Sequence, residues 1–212
     1  MAVEPGPGGN ALSQPTESYA KNSSLIVTVQ DWAGWIAYTS IDDLCREDLL
    51  FKNLSGGYDV SNLLAVSAVK NFAKLIGLER RGIRVIKYTG TSKVDAEYDA
   101  QGALGYVMAF DNALQKIMTF IPHKEELVTG LRVEKFNIPK ISVREILSNA
   151  IVHQDFSGAD AGPIVEVFSD RIVITNCGSP LIETDRFVDA PSKSRNQQLS
   201  RLFLSVGLSE LK

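Results

Sequence analysis

Residues 142–156 read SVREILSNAIVHQDF, and this stretch has the clearest helical pattern in the 212-residue chain. Its apolar side chains recur at intervals of three and four residues, at Val143, Ile146, Leu147, Ala150 and Ile151. This spacing places them along one side of an α-helix, where they can pack against a core. The sequence therefore predicts an amphipathic helix over residues 142–153.

The opposite side of this helix carries three polar side chains in successive turns. At about 100° per residue, Glu145, Asn149 and His153 project from one face, and Asp155 follows just beyond them. An amide oxygen suits a hard cation such as Mg²⁺, and a carboxylate can act as a general base towards water. An imidazole can donate to a phosphate or end the helix. Solvation alone also produces such a face, so these residues leave a ligand site and a plain surface open.

The segment after this helix adds further polar groups in a fixed order. Residues 164–168 and 171–175 are two apolar runs separated by two residues, which is hairpin spacing. The turn that follows contains Asn176 and Gly178, and the glycine lets the backbone approach a ligand closely. A last helix is predicted over 196–206. Its start can bind an anion, and the residues there are Ser194, Arg195 and Asn196.

The remaining elements mix strands and helices, which predicts an α/β or α+β fold. Strands are predicted at 25–29 and 83–88, helices at 41–52, 61–75 and 109–121, and an extended segment at 127–136. We expect three parts: a disordered tail rich in Pro and Gly over 1–24, a strand and helix segment over 25–57, and the main domain over 58–212. Trp32 and Trp35 are expected to pack in a core or under a lid.

The overall composition excludes several classes of protein. Hydrophobic residues make up 44% and charged residues 22%, which is typical of a globular chain rather than a disordered or collagen-like one. No apolar run is long enough for a membrane helix, and no secretion signal opens the chain. Cys45 and Cys177 have no metal-ligand spacing and form no disulfide framework, so we expect a reducing, cytoplasmic setting.

Positive charge is concentrated in residues 69–93, although the whole chain carries a net charge of −3. This basic strip has Glu79 as its single acidic residue, and its basic residues are Lys70, Lys74, Arg80, Arg81, Arg84, Lys87 and Lys93. Such a strip is typical of a surface that contacts nucleic-acid phosphates. It is also typical of a solvated helix face and a charged edge strand. We favour this second interpretation, and the first stays open.

Four stretches together resemble the carboxy-terminal domain of RecG-helicase-related bacterial transcriptional regulators. They are residues 84–90, 142–156, 162–176 and 192–196, and the resemblance covers about 58–211. It implies a GHKL-like (Bergerat-type) two-layer sandwich of helices on a mixed sheet, which binds ATP with Mg²⁺. Members that look like this usually carry a Schlafen-like nucleic-acid-binding domain first and a winged helix afterwards.

The resemblance also implies a role for each site residue. Glu145 would activate water, Asn149 would hold Mg²⁺, and His153 and Asp155 would end the same motif. Asn176 and Gly178 match the turn that would face the adenine, with Asn176 in place of the usual aspartate. The family also has a motif near the lid that closes over the phosphates. Its counterparts in this chain, which could touch phosphate, are Ser194, Arg195 and Asn196.

Two departures from this family affect the expected function. The chain stops where the glycine-containing lid would begin, and residues 1–57 are unlike a Schlafen-like domain, so we expect either a fragment or a shortened relative. The leading hypothesis is an ATP-binding regulatory module with weak or no hydrolysis. The second is a degenerate relative that binds a protein partner, as a regulator or inhibitor of a nucleic-acid-processing complex. The third is DNA or RNA binding through the basic strip.

Overall fold

A computed structural model describes eight parts of the chain, namely residues 15–16, 41–46, 48–54, 56–75, 77–128, 131–156, 161–179 and 194–209. The predicted strand at 25–29 and both tryptophans lie outside the described residues. The same is true of nearly all of the predicted tail. Among the described residues, no helix is both long and apolar enough to cross a membrane.

The described elements alternate between strands and helices along the chain. They are β1 (Pro15–Thr16), α1 (Ile41–Arg46), β2 (Leu50–Lys52), β3 (Tyr58–Ser61), α2 (Asn62–Ala68), a 3-10 turn (Phe72–Lys74), β4 (Arg84–Tyr88), β5 (Ala96–Gln101), α3 (Tyr106–Phe120), β6 (His123–Val128), β7 (Leu131–Phe136), α4 (Lys140–Val152), β8 (Ile164–Val167), β9 (Ile172–Thr175) and α5 (Gln197–Ser205).

The central sheet has four strands in the order β5-β4-β8-β9. β4 and β8 are parallel, with Val85 opposite Val165, and the two outer pairs are antiparallel. A parallel pair needs a crossover connection, and the chain between β4 and β8 includes α3 and α4. The predicted α+β class is therefore confirmed, and the helices and sheet are consistent with two layers.

The two faces of this sheet have different environments. Val85, Val165 and Val167 belong to the main buried cluster, which includes residues of α2, α3, α4 and α5. Successive side chains of a strand point to opposite faces. Ile86 accordingly belongs to a second, smaller cluster, together with Tyr88 and Phe168. Val143, Leu147 and Ile151 of α4 also belong to the main cluster, so the exposed Asn149 lies on the side of the helix that faces away from it.

The predicted core stripe of α4 is correct at four of its five positions. Val143, Leu147, Ala150 and Ile151 are buried, whereas Ile146 is 53% exposed. Ile146 lies about 100° around the helix from Glu145, on the border of the polar face. The apolar spacing alone predicted that Ile146 is a core residue. In the structure, the residues packed against α4 cover a narrower arc of the helix than this spacing implies.

The amino-terminal segment differs from its prediction. The expected helix over 41–52 ends at Arg46, and residues 50–52 form β2 instead. β2 pairs with β3 so that Leu50 lies opposite Val60, and the turn between them falls where a boundary was predicted. The side chain of Asn53 stabilises this turn, because its Oδ1 accepts a hydrogen bond from the Gly57 N–H at 2.8 Å. Gly56 has a φ of +79°, which glycine adopts freely.

The hairpin and α1 also share the core of the main domain. Leu44 and Leu49 are 4% exposed and belong to the same buried cluster as α2 and α3. Residues 41–57 therefore pack on the segment from residue 58 onward, and the two form one core in the described part of the chain.

The predicted helix over 61–75 is shorter in the structure. α2 ends at Ala68, and the backbone of the next residues bonds elsewhere. Gly105 N–H donates to Val69 O at 2.7 Å, and Phe72 N–H donates to Ala103 O at 2.7 Å. The distant segment 103–105 therefore takes the hydrogen bonds that a longer helix would have made internally.

Ser67 offers a test of how tightly α2 is buried. It is fully buried, and its hydroxyl has no hydrogen-bond partner among the described residues. Burying an unbonded hydroxyl costs about 1–3 kcal/mol. We expect Ser67→Ala to raise the free energy of unfolding in urea by about 1 kcal/mol.

A matched serine at the start of the same helix should behave in the opposite way. The Ser61 hydroxyl accepts the Leu64 N–H at 3.1 Å and caps α2. Ser61→Ala should lower the free energy of unfolding by about 1 kcal/mol. A loss of stability in both variants would show that the Ser67 hydroxyl has a stabilising partner.

Candidate functional site

The polar face of α4 is only partly accessible. Asn149 is exposed, and Glu145 is partly buried one turn before it. His153 is the residue that ends the helix, and its N–H donates to Asn149 O at 2.9 Å. A carboxylate, an amide and, at the end of the helix, an imidazole therefore follow one another on the side of α4 away from its buried stripe.

The glycine turn after β9 packs directly on the segment that follows α4. The Asp155 N–H donates to Cys177 O at 2.7 Å. Gly178 has a φ of +123°, and a Cβ built there would lie 3.0 Å from the Asp155 Cβ. The sequence predicted that the backbone at Gly178 approaches a ligand, and the structure shows a close approach of Gly178 to Asp155.

Arg195 joins this turn to the start of α5. Its Nη1 donates to Asp155 Oδ2 at 3.2 Å, and its Nη2 donates to Ser179 O at 2.7 Å. The end of α4, the 176–179 turn and the residue before α5 are thus joined through one guanidinium. Ser179 lies 16 residues before Arg195, and Asp155 lies 40 residues before it. The structure therefore brings together three stretches that are distant from one another in the sequence.

Two hydrogen-bond donors at this junction are not used within the described chain. Arg195 Nε and Ser194 Oγ are buried, and neither has a hydrogen-bond partner among the described residues. Because a buried donor without an acceptor is costly, an acceptor that bonded to either group would stabilise the junction. A guanidinium and a hydroxyl are also the kinds of group that bind phosphate oxygens.

The charge of Arg195 also affects His153. Desolvation by the surrounding protein lowers the pKa of His153, and the positive charge of Arg195 lowers it further. The ordinary histidine pKa is about 6.5, so this side chain is neutral at pH 7. One of its ring nitrogens then carries a hydrogen and can donate, while the other can accept.

The side chain of Asn196 is turned towards the protein interior. It is 4% exposed, and its Nδ2 donates to Val152 O at 2.8 Å and to Gln154 O at 2.7 Å. It occupies the residue position before α5 without capping that helix through its side chain. Its amide was predicted to touch phosphate, but both of its hydrogens are bonded to carbonyls at the end of α4.

Three residues that support this corner were not identified as such from the sequence. Arg81 is 1% exposed, and its Nη1 donates to Asp155 O at 3.0 Å. The Tyr106 hydroxyl donates to Arg81 O at 2.6 Å and is 3.1 Å from Gln154 Oε1. Burial raises the pKa of Tyr106, so the hydroxyl keeps its hydrogen. No local pattern could have indicated these contacts, since Arg81 and Asp155 are 74 residues apart.

The basic strip is divided among different environments. Arg81 is buried, Arg84 pairs with Asp99 at 2.8 Å, and Lys93 pairs with Glu166 at 2.7 Å. The Arg84 pairing raises the pKa of the guanidinium and lowers that of the Asp99 carboxyl. Lys87 is partly buried, and the members that stay exposed without a described ion pair are Lys70, Lys74 and Arg80. The strip is therefore not one continuous cationic surface.

A dedicated metal cluster is not found near these residues. Within the described parts of the chain, no group of three or more His, Cys, Asp or Glu side chains could hold a metal ion. Any Mg²⁺ at the Asn149 face would therefore depend on water and ligand oxygens for most of its coordination, as Mg²⁺ commonly does.

Comparisons with known proteins relate the last quarter of the chain to a family. Residues 160–212 match the model of the family described as "Putative ATP-dependent DNA helicase recG C-terminal". This region is therefore similar to a RecG-related, ATPase-like domain. It contains the 176–179 turn and Arg195, whereas α4 lies before it. No curated protein matches the chain.

A solved structure supports the fold over almost the whole chain. It is that of the DIP2311 protein from Corynebacterium diphtheriae, with a TM-score of 0.67 and 16% sequence identity. The match covers 96% of this chain and 40% of that protein, so the chain spans about two fifths of its length. At this identity the likeness shows a shared fold.

Proposed function

We propose that the chain is an ATP-binding module, and that ATP binds where α4, the 176–179 turn and the start of α5 meet. The observation that carries this proposal is the double contact of Arg195 with Asp155 and with Ser179 O. It brings together the helix, the turn and the basic helix start whose order resembles a GHKL-like nucleotide site. The family match over 160–212 supports an ATPase-like domain here.

The side chains at this junction fit the phosphates of a nucleotide. Arg195 Nε and Ser194 Oγ are buried donors without acceptors among the described residues. We assign the phosphate contacts to these two groups and not to Asn196, since its amide hydrogens are already bonded to Val152 O and Gln154 O. The neutral His153 imidazole supplies a further donor at the end of α4.

The exposed face of α4 has the groups to hold Mg²⁺ and to orient water. Asn149 offers an uncharged oxygen that can share Mg²⁺ with phosphate oxygens. Glu145 is partly buried one turn away, which suits a carboxylate that accepts a hydrogen bond from a water molecule. In the 176–179 turn, the Asn176 amide can accept from the amino group of an adenine. We infer that binding is the main activity and that hydrolysis is slow or absent.

Protein binding is the second candidate function, and one observation favours it. Ile141 is 51% exposed and Ile146 is 53% exposed, and both border the polar face of α4. Two exposed isoleucines beside a ligand face are suited to a covering protein segment. A regulatory module of this kind would use the nucleotide to change what this surface binds.

Titration calorimetry with ATP and Mg²⁺ tests the first proposal. We expect saturable binding by the unchanged protein and an affinity at least about tenfold lower for Asn149→Ala, because a lost charge-assisted contact costs about 1.5–3 kcal/mol. Asn112→Ala is the matched control, since Asn112 is an exposed asparagine on α3.

The control should bind ATP as the unchanged protein does. Absence of heat with the unchanged protein would contradict ATP binding and leave protein binding as the preferred function. Equal affinities for the Asn149 and Asn112 variants would instead remove Asn149 from the site.

A further inference from the structure

A cavity of about 240 Å³ lies between the central sheet and α3. The residues that line it come from the segments around β4 and β5 and from α3, so it shares none with the proposed ATP site. Much of its wall is apolar and built from small side chains, and includes Ile83, Val85, Ala100, Ala109 and Ala113. Neither α4 nor α5 contributes to it, so this cavity needs an explanation of its own.

The size and the wall of the cavity favour a single apolar side chain as its occupant. Pockets for small-molecule ligands measure roughly 300–1,000 Å³, so this cavity is smaller than they are. An apolar cavity of about 150 Å³ is already large enough for a group the size of benzene. A leucine or phenylalanine side chain from another chain would therefore fit, whereas a nucleotide or a similar cofactor would not.

The strand that forms one side of the cavity, β5, is also an outer strand of the central sheet. Arg84 N–H donates to Pro163 O at 2.9 Å, so it points away from β5. Its register partner Gln101 therefore belongs to a pair without mutual hydrogen bonds, and the main-chain groups of Gln101 face the outer edge. By the same alternation, those of Asp99 do so too. No other strand in the described part of the chain pairs with this edge, so it can accept an added strand.

A positive charge lies at the rim of the cavity. Lys116 is an exposed residue of α3 that lines the cavity, and its Nζ lies 4.5 Å from the centre of the Tyr98 ring and 4.8 Å from that of Phe120. The two rings contact each other and attract the ammonium group. Among the described residues, no carboxylate pairs with Lys116. The rim is therefore complementary to an occupant that carries an acidic group.

We propose that the groove between β5 and α3 binds an extended acidic peptide segment of a partner protein. The segment adds a strand to β5, inserts one apolar side chain into the cavity and pairs a carboxylate with Lys116. Main-chain hydrogen bonds give affinity in this mode of recognition, and side-chain pockets give specificity. Side chains two residues apart on a strand point to the same face. We therefore expect the segment to carry Asp or Glu two positions from its apolar residue.

This groove is separate from the exposed isoleucines of α4, and the inference does not depend on ATP binding. A protein that binds no ATP could still bind a peptide here, and a protein that binds no peptide here could still bind ATP. The two proposals therefore fail independently of each other.

A displayed library of random heptapeptides is the probe for this groove. The most enriched peptide is synthesised with a fluorescent label, and its affinity is measured by anisotropy. Ala113→Leu fills the cavity from α3 with a residue that favours helix. Gln115→Leu is the matched control, because it adds the same side chain to α3 at an exposed position that does not line the cavity. Lys116→Gln removes the charge at the rim.

We expect the selected peptides to share the apolar and acidic pair at this spacing. Ala113→Leu should bind the synthesised peptide at least about tenfold more weakly, because the apolar side chain loses its burial. Gln115→Leu should keep the affinity within about twofold. Lys116→Gln should lower it by about threefold and remove most of its dependence on salt, because exposed ion pairs contribute little and are screened. In NMR spectra, the peptide should shift the amides of Asp99 and Gln101 most.

The proposal is overturned if the selection yields no peptide whose binding Ala113→Leu weakens, or if Gln115→Leu weakens binding equally. An Ala113→Leu variant that is more stable, with no peptide bound by the unchanged protein, would show that the cavity is only a gap in packing. A dimer in sedimentation that Ala113→Leu abolishes would show that a second copy of the chain occupies the groove instead. If Ala113→Leu does not fold, Lys116→Gln and the amide shifts decide by the same limits.

Discussion

Replacing Gly162 with alanine is expected to destabilise the protein by about 3 kcal/mol or more, because the new methyl group would overlap backbone atoms. A Cβ at this position would collide with Arg81 O and would lie 2.7 Å from Gly82 O. Gly162 N–H also donates to Arg80 O at 2.9 Å, which holds the two segments at this distance. Backbone atoms cannot move aside as the tip of a long side chain can, so β8 and the 80–82 loop would have to separate.

Urea unfolding measures this effect against a matched glycine. Gly90 has no atom within 4 Å of the position of a Cβ, and its φ is outside the left-handed region. Gly90→Ala should therefore change the free energy of unfolding by no more than about 0.5 kcal/mol. Similar losses in both variants would show that the close approach at Gly162 is not what holds this corner together.

Removing the side chain of Asn196 is expected to cost about 3 kcal/mol. In Asn196→Ala, Val152 O and Gln154 O lose their donors, and each buried carbonyl left without a partner costs about 1–3 kcal/mol. Urea unfolding should show a lower midpoint, and amide hydrogen exchange should be faster at the end of α4.

Two further substitutions separate hydrogen bonding from loss of volume. Asn196→Asp keeps the shape but offers carboxylate oxygens to two carbonyls, so it should be at least as unstable as the alanine variant. Asn71→Ala removes an exposed cap, in which the side chain accepts the Ala73 N–H at 3.0 Å, and should cost about 1 kcal/mol. If Asn196→Asp were as stable as the unchanged protein, donation by Asn196 would not explain the geometry of this corner.

The elements that could be predicted from the sequence are those with strong local patterns. The helix predicted over 142–153 is α4, observed at Lys140–Val152, and the two predicted strands are β8 and β9. Both patterns reflect the period of the element itself, 3.6 residues for a helix and two for a strand. The α+β class follows from the same local information.

The errors occurred where distant segments compete for the backbone. The helix predicted over 41–52 is interrupted because Leu50 pairs with Val60 in a hairpin. The helix predicted over 61–75 ends early because Val69 and Phe72 bond to residues 103–105. A segment can have helical spacing and still form more favourable backbone hydrogen bonds with a distant segment. The periodicity of its apolar residues does not reveal this competition.

The candidate site also combines an arrangement that local spacing predicts with contacts that only the fold produces. The sequence by itself determined that Glu145 and Asn149 share one face of α4 and that His153 follows at its end, since residues spaced four apart on a helix lie on the same face. Only the tertiary structure decided that Arg195 bonds to Asp155, that Asn196 faces inward and that Arg81 is buried beneath them. These contacts join residues 40, 44 and 74 positions apart. They depend on how the sheet and helices pack, because the donors that reach the carbonyls at and just after the end of α4 come from distant parts of the chain.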